Sequence, residues 1–349
     1  MSIKARCCVF FLVPLVYTAA VSAQQHSPQT GPGAGRILLD VVVTPKSGPP
    51  VGGLQRQDFT LLDNKVPQTI TSFQAVDGRQ APIEVILLAD AVNTGYQSVA
   101  YEREEIDKFL RADGGKLAHP TTIGVLTDTG TQMYQGFSTD GNVLSAALEQ
   151  YTVSLRTLRR EDLSGAADLF QLSLENLQEL AAREAPGPGR KVILWVSPGW
   201  PLLSGPNVEL DASDQQKLFD HIVDFSTQFL QARITLYSID PLGSADTGFR
   251  TFYWKSFVKG VSKPRQVQAG DLALEVLATQ SGGLALNSSN DVSELLQRSL
   301  ADTGIYYELS FDPAPGDKAN EYHSLEIHMA KRGLTARTRQ GYYSQPRPR

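Results

Sequence analysis

Cysteine is almost missing from these 349 residues: there are two, Cys7 and Cys8, side by side near the amino terminus. Both fall inside an apolar run, Cys7 to Ala20, which follows Lys4 and Arg6 and precedes the small residues Val21-Ser22-Ala23. A short basic segment, an apolar run well under the ~20 residues that span a bilayer, and small residues at its end form the pattern of a cleaved export signal. Residues 1–23 are therefore expected to be a signal peptide and the protein to be exported, periplasmic or extracellular. Neither cysteine directly follows the small residues, as the cysteine of a lipoprotein would. The processed chain then carries no cysteine, which excludes a disulfide framework, a thiolate nucleophile and cysteine-ligated zinc. About 325 residues are ample to hold a fold together by core burial instead.

Other absences narrow the function. No second apolar run of spanning length follows the leader, so no membrane insertion is expected after cleavage. Dense basic tracts are missing; the clusters between Arg156 and Arg160 and between Arg347 and Arg349 are short. Losing Lys4 and Arg6 with the leader, and no acid, moves the formal charge from -5 to -7. Nucleic acid is disfavoured as a partner, because its phosphates demand a basic face. There is no Gly-x-Ser-x-Gly elbow, and His26, His119, His221, His323 and His328 show no His-Glu-x-x-His or other ligand spacing. Asp-Thr-Gly occurs at 128–130, 246–248 and 302–304. Aspartic-protease chemistry needs two such turns face to face, so that two carboxylates share a proton. Only the first triplet follows a buried-strand pattern, so turns and caps are the expected use. The chain is read as a non-enzyme.

What is present is ordered along the chain. Residues 24–35, rich in Gly, Pro and Gln, read as a linker. Segments 36–45, 58–64 and 68–76 alternate apolar and polar residues, as antiparallel strands do, with a turn at Asp63-Asn64-Lys65. Ile83–Ala89 is instead a near-continuous apolar run ending in Asp90, the pattern of a parallel strand buried on both faces. Strand patterns at 122–127, 132–137, 191–196 and 234–239 then intersperse with helical ones at 97–110, 142–151, 161–183, 211–230, 271–280 and 291–301. Such alternation predicts an α/β fold, a doubly wound and mostly parallel sheet of Rossmann-like type. The tail alternates again around Ile305–Phe311, Leu325–Met329 and Leu334–Arg339. Head (36–80) and tail (304–349) are each too small to fold alone, so they are expected to pair into one small antiparallel β-sandwich beside the α/β unit, 81–303.

Four stretches carry a family resemblance: 42–78, IEVILLADAVNT (83–94), GRKVILWVSPGW (189–200) and 277–313, the last followed by RTRQGYY (337–343). In their order and spacing they resemble the bacterial VWFA-related proteins of the von Willebrand factor type A (VWA) superfamily. The resemblance implies a recognition domain that often binds through a metal-ion-dependent adhesion site. That site takes Asp-x-Ser-x-Ser after the first strand, a Thr on a second loop and an Asp on a third, all hard oxygen ligands suited to Mg²⁺. Here Asp90 fills the first position, Val92 offers no oxygen, Thr94 supplies the second hydroxyl, and Asn93 has an amide oxygen to lend. Proline in Ser197-Pro198-Gly199 stands where the third-loop Asp is implied, and Thr157 and Ser164 are the candidates for the second loop. The resemblance thus implies a degenerate metal site, Asp90, Asn93 and Thr94, for weak Mg²⁺ or Mn²⁺ at most. The alternative is that Asp90 and Thr94 only cap the following helix or brace its loop.

In doubly wound sheets ligands sit at the carboxyl ends of the strands. The loops there, 90–95, 127–131, 197–203 and 241–270, are the expected contact with a protein partner, with Trp200, Asp128 and Asp240 as candidate contact residues. Two alternatives stay open: a structural component of a cell-envelope assembly that works through its sandwich, and an enzyme of unrecognised type.

Overall fold

The computed structural model describes residues 35–151, 163–200, 210–243, 253–314 and 318–344. The expected leader and most of the expected linker lie outside them. The alternating head gives β1 (Ile37–Pro45), β2 (Phe59–Asp63), β3 (Val66–Gln68) and β4 (Ser72–Asp77). Asn64 and Lys65, both at positive φ (47° and 67°), make the tight β2–β3 turn, whose twist suits a two-residue hairpin.

The α/β series follows as β5 (Ile83–Asp90), α1 (Tyr96–Arg111), β6 (Lys116–Thr127), β7 (Gly130–Met133), β8 (Ser138–Asp140), α2 (Gly141–Gln150), α3 (Leu163–Glu184), β9 (Arg190–Val196), α4 (Ala212–Gln231), β10 (Ile234–Ile239), α5 (Leu274–Gln280), β11 (Ala285–Leu286) and α6 (Val292–Ala301). The tail adds β12 (Ile305–Phe311), β13 (Tyr322–Met329), β14 (Leu334–Arg337) and β15 (Gly341–Tyr343).

The central sheet has the order β11-β10-β9-β5-β6-β7, with β8 also on β6. Strands β11 to β6 run parallel, and β7 and β8 close the edge antiparallel. The strand expected at 132–137 is therefore β7, starting two residues earlier as the return arm of a hairpin. The helix expected from Asp271 begins instead as a 3-10 turn, Ala269–Leu272. Asp271 folds back to accept a hydrogen bond from the Gln268 amide, and α5 starts only after Ala273.

Strand parity sends Ile86, Leu88, Ile193, Trp195 and Leu236 to one face, under α3, α4 and α5. It sends Val85, Leu87, Val192, Leu194 and Ile239 to the other, under α1, α2 and α6. That two-sided burial is why these strands read as unbroken apolar runs.

Head and tail form two further sheets, β14-β1-β12-β4 and β15-β13-β2-β3. Each is held by head–tail pairing, β1 with β12 and β14, and β2 with β13. Ile37, Leu39, Val41, Leu61, Leu309, Phe311 and Leu325 fill the space between them. The opposite face of the first sheet is also covered: Val42, Val76 and Tyr306 pack into the α/β core.

Candidate functional site

The sheet order reverses between β5 and β9. The chain leaves β5 for β6 on one side and returns to β9 on the other, so this is the switch point at which open α/β sheets form a crevice. In-register pairing sets Ala89 beside Val196, Asp90 beside Leu126, and Val196 beside Ile239. Asp90, Ser197 and Asp240 therefore leave the same edge together. Backbone bonds carry the ladder slightly further, from Ala91 N to Leu126 O (3.0 Å) and from Ser197 N to Ile239 O (2.9 Å).

Asp90 is fully buried and occupied. Its Oδ1 accepts from the amides of Val92 (3.0 Å) and Asn93 (2.9 Å). Its Oδ2 accepts from Asn93 Nδ2 (2.8 Å), Trp195 Nε1 (3.2 Å) and Ser197 Oγ (2.8 Å). Those donors use the roughly four lone-pair directions of a carboxylate. Two are N–H groups aimed at the oxygen a cation would need.

The residues present do not fit a divalent ion anchored on Asp90. Asn93 spends its amide nitrogen on Asp90 and on Ser173 Oγ (2.9 Å), which leaves only its Oδ1 without a partner. Thr94, fully buried, lends its hydroxyl to Glu102 on α1. Among the described residues no group of three or more His, Cys, Asp or Glu side chains is arranged to hold a metal ion. Thr157 lies outside the described residues, and Ser164 falls in the first turn of α3. The Asp90 loop is instead a brace: one carboxylate ties β5 to β9 directly and, through Asn93, to α3.

Several participants were not singled out from the sequence. Trp195 and Ser197 meet Asp90 across more than a hundred residues of chain, beyond any local pattern. Ser173 sits on the buried face of α3, where its hydroxyl also bonds Leu169 O (2.8 Å). Glu102 did leave a signal: with Val99, Ile106 and Phe109 it occupies one helical stripe, although it stands in a charged stretch that reads as solvated. It is 1% exposed. Burial pushes its carboxyl well above the usual glutamate range, the Thr94 hydroxyl opposes this, and the charges of Asp90 and Asp240 add to it.

The candidate contact residues divide. Trp200 is 2% exposed and packs edge-on against Trp195 (5.5 Å) and Phe170 (6.2 Å). Its ring packs into the core over the apolar floor that α3 supplies beneath it. Asp128 and Asp240 are half-buried at the edge, Asp128 in the β6–β7 turn and Asp240 accepting from Leu242 N (2.9 Å). Residues 201–203 and 244–252 of the expected contact loops lie outside the described residues.

The two described Asp-Thr-Gly triplets, at 128–130 and 302–304, do not meet. Asp128 follows the carboxyl end of β6, whereas Thr303 bonds His119 near the other end of that strand (2.7 Å). Nine extended residues separate those positions, roughly 30 Å. The triplet at 246–248 lies outside the described residues.

No protein-family model and no curated protein matches the chain. Among solved structures it is similar to the VWA domain of SpRpn10, at 12% identity over 64% of this chain and 98% of that one, with a TM-score of 0.32. It is also similar to the pilus adhesin SpaC from Lactobacillus rhamnosus GG in its open conformation, at 8% identity and a TM-score of 0.36. That match takes in 83% of this chain and 48% of the adhesin; a second form of the adhesin gives a TM-score of 0.35. The fold is a mostly parallel α/β sheet between two helical layers, joined to antiparallel sheets. At these TM-scores the strand order and the two helical layers establish the α/β architecture, not the neighbours. Among the described residues no helix is long and apolar enough to cross a membrane.

Proposed function

We propose that this chain is an exported protein-recognition module, not an enzyme. Its partner is held by the loops at the carboxyl edge of the parallel sheet, without a metal anchored on Asp90. The observation that carries the reading is the register that delivers the loops after β5, β6, β9 and β10 to one edge, with the buried Asp90 fastening the crevice beneath them. A braced base with variable loops above it is a common basis for binding. Asp128 and Asp240, half-buried at that edge, are both acidic. Export rests on the leader pattern of residues 1–23 alone.

A second reading, contact through the sandwich, is favoured by Val66, 58% exposed on the edge strand β3. One experiment separates the two. The immobilised chain is offered an envelope extract in EDTA, beside an Asp128→Arg/Asp240→Arg double variant and a Val66→Arg variant. Recognition at the carboxyl edge predicts that the double variant loses the retained protein and Val66→Arg keeps it. The reverse pattern transfers the function to the sandwich, and retention that needs Mg²⁺ contradicts the metal-free reading.

A further inference from the structure

At the opposite, amino edge of the parallel sheet, β1 of the sandwich faces the starts of β9 and β10 across a small polar cavity of about 20 Å³. Arg190, Arg233 and Arg339 all line it, with Asp40 as the carboxylate among its walls. Arg233 is matched: it donates to Asp40 and to Glu308, both at 2.5 Å. Burial alone would pull its pKa down, but those two carboxylates more than offset this and raise it.

The other two arginines have no such match. Arg190, 2% exposed, donates to the Asp302 carbonyl (3.2 Å) and lies 4.7 Å over the Tyr306 ring. Arg339, 7% exposed, donates to the Ser226 carbonyl (3.2 Å). Neither has a carboxylate within ion-pair distance among the described residues. Burial draws the Arg339 guanidinium down to about 10, against the pull of Asp40 and Tyr322, so it stays charged at neutral pH. The Nε–H groups of Arg190 and Arg233 are buried without an acceptor. The nearby Asp302 carboxylate is engaged by Arg337 and by the Tyr237 hydroxyl (2.7 Å).

Buried cations are ordinarily paired, and buried N–H groups ordinarily find acceptors. This cavity holds an excess of both. About 10–15 Å³ is the least that admits a single water, so the space suits one small species of roughly that size. A neutral water satisfies donors and leaves the charge; a monatomic anion answers both. We propose that the cavity binds one small inorganic anion of halide size, held by Arg190, Arg233 and Arg339 at the seam between the sandwich and the α/β layers.

The test uses the full chain purified in sodium gluconate, whose anion is too large to enter. Chloride or bromide then replaces gluconate at constant ionic strength while Tm is followed. The expected result is a saturable rise of roughly 1–3 °C at millimolar halide, since a ligand bound only by the folded state stabilises it. The rise is absent in Arg339→Met and weaker in Arg339→Lys. A flat response overturns the proposal, and so does an unsaturating rise shared by Arg339→Met, which is general salt screening. If Arg339→Met does not fold, crystals grown in bromide decide. An anomalous peak in contact with Arg190 and Arg339, together with the saturable shift in solution, supports the site. Water density there, or a peak without a solution shift, overturns it.

Discussion

Asp90 and Glu102 are both buried acids, close enough for the charge of Asp90 to act on Glu102, and their surroundings give them different roles. Asp90 has every lone pair directed at a donor, so its charge is compensated where it sits. Replacing it with Ala leaves the Trp195 and Ser197 donors and two loop amides buried without an acceptor. A loss of about 3–5 kcal/mol is expected, measured by denaturant unfolding. Calorimetric titration with Mg²⁺ or Mn²⁺ is expected to show no saturable heat at millimolar metal; a saturable signal lost in Asp90→Ala would restore the adhesion site. Glu102 has its carboxyl raised by burial, so the folded state holds its proton more tightly than the unfolded chain does. Below the ordinary glutamate value of 4.5 both states are protonated, and the favourable contribution is fully present. As pH rises through the folded value that contribution is lost. Glu102→Gln, neutral at every pH, is therefore expected to unfold at a higher temperature than wild type at pH 8, and the gap to close below about pH 4.5.

At the scale of the element, local chemistry explains most of what the sequence made legible. Asp211 and Asp291 stand before α4 and α6, and each side chain accepts an amide three residues on. Asp211→Ala is expected to cost about 1 kcal/mol, read from thermal unfolding. The Gly282-Gly283 pair has a reason in packing: a Cβ on Gly283 would stand 1.8 Å from the Leu236 carbonyl oxygen, so the backbones of β10 and this turn approach too closely for any side chain. Strand identity in β5, β9 and β10 was readable because burial on both faces leaves an apolar run that nothing else produces. The end of β6 nearest α1 was not, since Lys116, Ala118 and Pro120 are polar or exposed there and break the run. The brace around Asp90 was half legible. Asp90, Asn93 and Thr94 stood out through the adhesion-site pattern that the family resemblance implies, but their partners arrive from β9 and α3, which only the tertiary fold brings near. The burial of Trp200 was not legible, because a turn residue flanked by prolines shows no sign of the Phe170 ring that α3 packs against it.

At the scale of the molecule, the chain closes on itself. Its head lends β1 and β2, its tail lends β12 to β15, and neither sheet survives without both. Ending the chain after residue 303 is therefore expected to leave 36–80 without strand partners, seen as rapid proteolysis of the head; a stable head fragment would contradict the single sandwich. The two ends of the parallel sheet then have separate tasks. The amino edge is occupied by the sandwich, through Tyr306, Arg190, Arg233 and their neighbours. At the carboxyl edge the described residues 90–95, 127–131 and 240–243 come together, with the Asp90 brace at their base. Recognition at that edge is tested most directly by amide hydrogen exchange of the chain with and without its captured partner, in EDTA. Slowed exchange over residues 91–95, 127–131 and 240–243, with β2, β3 and β13 unchanged, is the expected result. Protection confined to the sandwich, or a footprint that disappears when metal is removed, would contradict metal-free recognition at the carboxyl edge.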